Sequence, residues 1–209
     1  MKTRPVRVFI ADDHHIVVMG LAALLSLEDR VEVVGTATTA SDAIKGYQTH
    51  QPDLLLIDLR MPDVDGIQAT EIIRAEFAHA RILMLTSFNA DDEIYRALKA
   101  GVSGYLLKEA GREELMQAIL TIHEGGRWIP REIARLAKER ARQPQLSMRE
   151  LEVLELVIKG LSNKEIAQVL QFSEDGAKQH LRRIYAKLGV EGRAEAASEA
   201  IRRGILRAD

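Results

Sequence analysis

The sequence has 209 residues, 46% of them hydrophobic, with a net charge of −2 and no cysteine. That length suits one domain or two small ones, and the apolar content is enough for a packed core, which excludes a disordered chain. Without cysteine there is no disulfide, no thiolate zinc site and no cysteine nucleophile, as suits a reducing compartment.

The N-terminus is basic, but its apolar run, residues 8–11, halts at Asp12 and Asp13. That is too short for a signal-peptide core, and no other stretch approaches spanning length, so a soluble cytoplasmic protein with no membrane partner is expected. Charge is unevenly placed. Residues 1–123 carry 12 Lys and Arg against 18 Asp and Glu, residues 124–144 carry 6 against 3, and residues 145–209 carry 11 against 10. An acidic first part and a locally basic second part point to different partners.

Taken in order, residues 6–11 are β-branched-rich and predict a strand. Ile16, Met19, Gly20, Ala23, Leu24 and Leu27 then follow helical spacing. Residues 31–34 predict a second strand, and a helix from about Ala40 places Ala43, Ile44 and Tyr47 on one face. Residues 53–57 predict a third strand: a short apolar run ending at Asp58, with Pro62 soon after, reads as buried on both faces. A helix over 67–77 follows. A strand over 81–85 ends at Thr86 and Ser87, and Ile94, Ala97, Leu98 and Gly101 mark a helix. Residues 104–107 predict a fifth strand ending at Lys108, and Leu115, Ile119 and Ile122 mark a fifth helix. Five strand–helix alternations predict an α/β domain, a doubly wound five-stranded parallel sheet, over residues 1–123.

Residues 124–145 read as a partly helical linker. Beyond Leu146 there is no strand signal. Ser147 opens a capping box with Glu150 ahead of Leu151, Leu154, Val157 and Ile158. Helices over 162–170, from Ser173 to about Leu188, and over 193–203 complete an all-α, four-helix domain over residues 146–209.

The strand ends carry the chemistry. Asp12 and Asp13 close the first strand, Asp58 the third, Thr86 the fourth and Lys108 the fifth, at the edge where open α/β sheets bind ligands. Gathered carboxylates need a counter-charge, and a hard dication with oxygen ligands, Mg2+ or Mn2+, supplies it. An ionised aspartate can then attack phosphorus, with Lys108 and Thr86 stabilising the phosphoryl oxygens. Each residue alone has a blander reading, as cap, turn or solvated group; their convergence is the signal. Two other patterns fail. Asp63-Val64-Asp65-Gly66 resembles part of an EF-hand loop, but the first and last ligand positions would be Met61 and Ile72. His14 and His15 suggest zinc, but adjacent histidines on a starting helix point apart, so solvated or packing roles are expected.

Residues 4–123 resemble a response-regulator receiver domain of flavodoxin-like fold, with Asp12, Asp13, Asp58, Thr86 and Lys108 on its signature positions. The resemblance implies Asp58 as phosphoacceptor, and Asp13, Asp58 and the Arg60 backbone carbonyl as magnesium ligands, with Asp12 in the outer sphere. It also implies Thr86 and Tyr105 as a switch pair, where the residues alone would make Tyr105 a sheet residue with an exposed hydroxyl. Glu109 stands where many receivers have proline.

Between Gly176 and Val190 there is no acid, while Lys178, Arg182, Arg183 and Lys187 supply four positive charges. With Ala177, Leu181, Ile184 and Leu188 inward, Lys178, Gln179, Arg182 and Arg183 share the outer side. An ordinary solvated face is the usual meaning of such charges, but a basic exposed helix also fits a DNA major groove. Residues 146–206 resemble a LuxR-type helix-turn-helix, notably at 146–150, 160–167 and 188–190, and the pairing with a receiver resembles NarL/FixJ-type regulators. By position, the resemblance implies Lys178, Gln179 and Arg182 as base-edge candidates and Asn163, Lys164, His180, Arg183 and Lys187 as phosphate candidates. Asp175-Gly176-Ala177 departs from the usual Gly-Thr-Val of that motif.

The expected function is a DNA-binding transcriptional response regulator, not an enzyme beyond chemistry on its own aspartate. A sensor histidine kinase would phosphorylate Asp58, and the phosphorylated form would be a homodimer on a double-stranded DNA operator. Three rivals remain: a phosphorylation-independent regulator, a receiver joined to a protein-binding bundle, and an aspartyl-phosphate hydrolase. The last lacks the usual Asp-x-Asp, since Arg60 holds its second position.

Overall fold

The structure is a computed structural model that describes residues 4–87 and 90–206. The outermost residues of the two expected domains, 1–3 and 207–209, lie outside the described residues. The chain divides into two compact units, one of residues 1–89 with 96–135 and one of residues 90–95 with 136–209.

In the first unit the chain alternates β1 (Val6–Ala11), α1 (His15–Ser26), β2 (Val31–Ala37), α2 (Ala40–His50), β3 (Leu54–Asp58), α3 (Gly66–Glu76) and β4 (Ile82–Thr86). It continues through α4 (Asp91–Ala100), whose residues 91–95 group with the second unit, and then β5 (Gly104–Leu107) and α5 (Arg112–His123). All four strand pairings are parallel, in the order β2-β1-β3-β4-β5. Parallel neighbours need a long crossover, which is why a helix separates each pair of strands. The order reverses between β1 and β3, so the carboxyl ends of these strands flank the crevice such sheets leave open.

The sheet core is built from Val8, Ile10, Leu54, Leu56, Leu83 and Leu106 against Leu115, Ile119 and Ile122 of α5. Leu54, Leu55, Leu56 and Ile57 are all buried on a central strand. Burying each such side chain contributes roughly 1.5–3 kcal/mol, which ties the backbone leading to Asp58 to the core.

Two elements differ from the sequence reading. β2 runs to Ala37 rather than 34, because pairing with β1 resumes after an irregularity at Val8 and Phe9. In α1, the residues buried are Val18 and Leu25, while Ile16, Met19 and Leu27 are 86%, 70% and 71% exposed. This helix has no charged residue, so its periodicity does not select a face; the sheet does.

The expected linker contains α6 (Arg131–Ala141), followed by α7 (Met148–Ile158), α8 (Asn163–Leu170), α9 (Glu174–Leu188) and α10 (Arg193–Arg202). The Ser147–Glu150 capping box forms at α7, Ser162 and Glu165 form a second at α8, and Ser173 accepts the Gly176 N–H at the start of α9. Val153, Leu154, Ile166, Ala177, Leu181, Ile184 and Ala200 make a separate core. Among the described residues no helix is long and apolar enough to cross a membrane.

Candidate functional site

The end of β1 delivers Asp12, and the ends of β3 and β4 deliver Asp58 and Thr86; all three are buried. Lys108, just past β5, places its Nζ 2.6 Å from Asp12 Oδ2 and 2.9 Å from Asp58 Oδ2. Burial pushes the Asp58 carboxyl above its ordinary pKa despite this ammonium. Burial alone would lower Lys108, but its contacts with Asp12 and Asp58 outweigh that and raise it, so the amine stays cationic. A charged lysine bridging two buried carboxylates is the electrostatic centre of the unit.

Asp13 is half-buried beside them. Asp12 Oδ2 and Asp13 Oδ1 are buried oxygens, the first in contact with the Lys108 ammonium and the second with the His14 ring. One ligand atom from each of Asp12, Asp13, His14 and Asp58 can be chosen so that all lie within 4.8 Å of one another. Carboxylates with lone-pair sites beyond these contacts are hard oxygen donors that fit a small dication. His14 belongs to this group although its sequence suggested a solvated or packing role: its Nδ1 is 2.7 Å from Asp13 Oδ1 and 3.3 Å from Asp12 Oδ1. Arg60 lies in the loop after β3, half-buried. Tyr105 is fully buried, so the exposed hydroxyl suggested by the residues alone is corrected: its ring lies in the interior although β5 is an edge strand of the sheet.

The EF-hand-like aspartates have local work. Asp63 accepts the backbone N–H groups of Ala40 and Ser41 at 3.1 and 3.0 Å, at the N-terminus of α2. The hydrogen bonds from Ser41 hold its carboxyl well below the usual range. Asp65 caps α3 in a box with Gln68. Gly66, the first residue of that helix, fits so closely under β3 that a Cβ there would stand 2.1 Å from the Asp58 carbonyl oxygen.

In the second unit, α8 and α9 are joined by a tight turn with Gln171 in the left-handed region, the build of a helix-turn-helix. Ala177, Leu181, Ile184 and Leu188 are buried, and Lys178, Gln179, Arg182 and Arg183 share the exposed side of α9. Lys178 is held by its own helix, 3.1 Å from Glu174 Oε1 and 3.4 Å from Asp175 Oδ1. The spacing of three and four residues could have shown this pairing in the sequence. Asp175 itself is 92% exposed.

The phosphate candidates divide. Lys164 and Arg183 are exposed. Asn163 is half-buried and accepts from Arg193 at 3.4 Å, and the His180 ring stacks on Phe172 at 4.8 Å. Lys187 donates to Glu150 at 2.6 Å and to the Gln145 carbonyl at 3.0 Å, so it anchors the start of α7. Nothing in the spacing of α9 foretells that, because Glu150 is 37 residues away.

Residues 8–120 match the family described as the response regulator receiver domain, and residues 144–200 match the bacterial regulatory proteins of the luxR family. The chain belongs to the LuxR-type response regulators. It is 36% identical to the transcriptional regulatory protein LnrK of Bacillus subtilis, over 96% of this chain and 98% of LnrK. It is 35% identical to the response regulator VraR of Staphylococcus aureus, over 96% of this chain and 99% of VraR. Among solved structures it resembles ChrA, a response regulator of a heme-sensing two-component system, at 35% identity and TM-score 0.58, covering 97% of this chain and 99% of that one. It also resembles a complex of the response regulator RcsB with DNA, at 29% identity and TM-score 0.66, covering 94% and 98%. A LuxR-type response regulator is a transcription regulator rather than an enzyme, and the two matched segments give this one the same constitution.

Proposed function

We propose that this LuxR-type response regulator is switched by phosphorylation of Asp58 from a partner histidine kinase, in a reaction that depends on Mg2+. The observation that carries this reading is the buried Asp58 carboxylate, held 2.9 Å from the Lys108 ammonium and grouped with the carboxylates of Asp12 and Asp13. Asp58 attacks the phosphorus, and the kinase histidine departs as the P–N bond breaks. Asp13, Asp58 and the Arg60 carbonyl would hold Mg2+, with Asp12 in the outer sphere, and the cation would neutralise charge on the transferring phosphoryl group. Lys108 then exchanges its carboxylate partner for a phosphoryl oxygen. The Thr86 hydroxyl donates to another, and Tyr105 repacks behind it.

The receiver would extend over 1–123, the linker over 124–145 and the DNA-binding domain over 146–209. Lys178, Gln179 and Arg182 would read base edges. Asn163, Lys164, His180 and Arg183 are assigned to phosphates, of which Lys164 and Arg183 have the freest access, while Lys187, bound to Glu150, is withdrawn from that set. Phosphorylation would favour a homodimer on an operator of two half-sites, in the cytoplasm. The RcsB–DNA complex supports the output half of this reading.

The test compares wild type with Asp58→Asn, given a small phosphoryl donor and Mg2+. Wild type gains the mass of one phosphoryl group, shifts toward dimer and retains more genomic DNA; the variant does none of these. Equal DNA retention by both would point instead to a regulator that works without phosphorylation.

A further inference from the structure

We propose that His14 is a further metal ligand of the receiver's acid cluster, and that through it the site takes an imidazole-binding transition dication, such as Ni2+ or Zn2+, more tightly than Mg2+. The inference rests on the reading of that cluster as the cation site.

His14 is placed there by the backbone. As N-cap of α1 it has extended dihedrals, φ −90 and ψ 101, and its N–H donates to Asp12 Oδ1 at 3.0 Å. That bond fixes the residue directly over the carboxylates, and its Nδ1 faces the oxygens of both Asp13 and Asp12. His15, the first residue of the helix proper, is exposed and belongs to no such group. His14 Nδ1 contacts Asp13 Oδ1 at 2.7 Å and Lys108 covers Asp12 Oδ2 at 2.6 Å, but a carboxylate offers about four lone-pair sites, and one ligand atom from each of the four residues still falls in the same small group.

The dimensions suit an ion. Opposite ligands of an octahedral dication stand roughly 4.2 Å apart, and the four donor atoms already lie within 4.8 Å, so a small contraction closes the set. The donor chemistry then decides which ion. Three carboxylates alone are a hard oxygen set that suits Mg2+, whereas one added imidazole moves the preference toward Zn2+ and Ni2+.

The experiment titrates Mg2+ and Ni2+ separately into the full chain by calorimetry, for wild type, His14→Gln and His15→Gln, while imidazole 15N resonances are followed. Wild type should bind Ni2+ more tightly than Mg2+, with broadening of the His14 resonances. His14→Gln should weaken Ni2+ by about tenfold or more, the usual scale for losing part of a coordination shell, and leave Mg2+ unaltered. His15→Gln should change neither. Unchanged Ni2+ affinity in His14→Gln overturns the proposal. So does an equal loss for both ions, which would mean that His14 only orients the aspartates. If wild type binds neither ion, the cation-site reading itself fails; if it binds Mg2+ without preferring Ni2+, only the role of His14 falls.

Discussion

Lys108 neutralises two buried carboxylates at once, so its removal should be felt most where both are ionised. In Lys108→Met, Asp58 loses the ammonium that opposes its burial, and its carboxyl rises further above its ordinary pKa. A carboxyl whose folded pKa lies above its unfolded value makes the native state bind the extra proton. Stability is therefore recovered as pH falls through the folded pKa and lost as pH rises. Lys108→Met should cost about 3 kcal/mol at pH 8 and distinctly less at pH 5, measured by urea unfolding. A deficit that is the same at both pH values would mean that the ammonium does not set the charge state of the pair. Gly66 acts through the backbone instead. A methyl group in Gly66→Ala meets the Asp58 carbonyl at 2.1 Å, and neither atom lies on a flexible side chain, so the end of β3 must move. The variant should lose about 1–3 kcal/mol of stability and accept less phosphoryl label at matched folded concentration. Wild-type stability and labelling together would show that the loop gives way without disturbing Asp58.

At the scale of elements, capping and periodicity were legible and facing was not. Ser147 and Glu150 announced the start of α7, and Ser173 announced α9, because a cap is a contact between residues three positions apart. The apolar residues of α1 announced a helix but left its orientation open, and Ile16, Met19 and Leu27 turned outward. Lys187 is the sharpest case. By its place on α9 it is a phosphate candidate; by its contact it neutralises Glu150, which is buried at the N-terminus of α7. Burial would raise the Glu150 carboxyl, but the hydrogen bonds from Lys187 and Ser147 hold it below its ordinary pKa. Lys187→Met should therefore lower the thermal stability of the second unit, with little change in the salt dependence of DNA binding. A reduced salt slope with unchanged stability would return Lys187 to the phosphate contacts.

For the whole molecule, the proposed function uses an acidic cluster at one sheet edge and a basic helix in a separate unit. Arg183 and Arg182, neighbours on the exposed side of α9, should behave differently in binding experiments. Arg183→Ala should weaken binding alike on all DNA sequences and reduce the slope of log K against log salt by about 1. Arg182→Ala should cost about 1–3 kcal/mol on the preferred site and relax the preference at one base pair, measured by site selection from random DNA. If both variants lose affinity without any change in sequence preference, Arg182 is a phosphate contact too.

The sequence by itself determined which segments are strands and helices, since those follow from apolar spacing and caps within a few residues. It also placed a carboxylate, hydroxyl or ammonium at the end of four strands, and so the family. What only the tertiary structure decided was contact across long separations. The order β2-β1-β3-β4-β5 sets Asp12 beside Asp58, 46 residues apart, and brings Lys108 against both. The same folding committed Lys187 to Glu150 and buried Tyr105. Periodicity fixes a residue's place on its own element, but a charge contact depends on a few ångströms between elements, and only packing sets that distance.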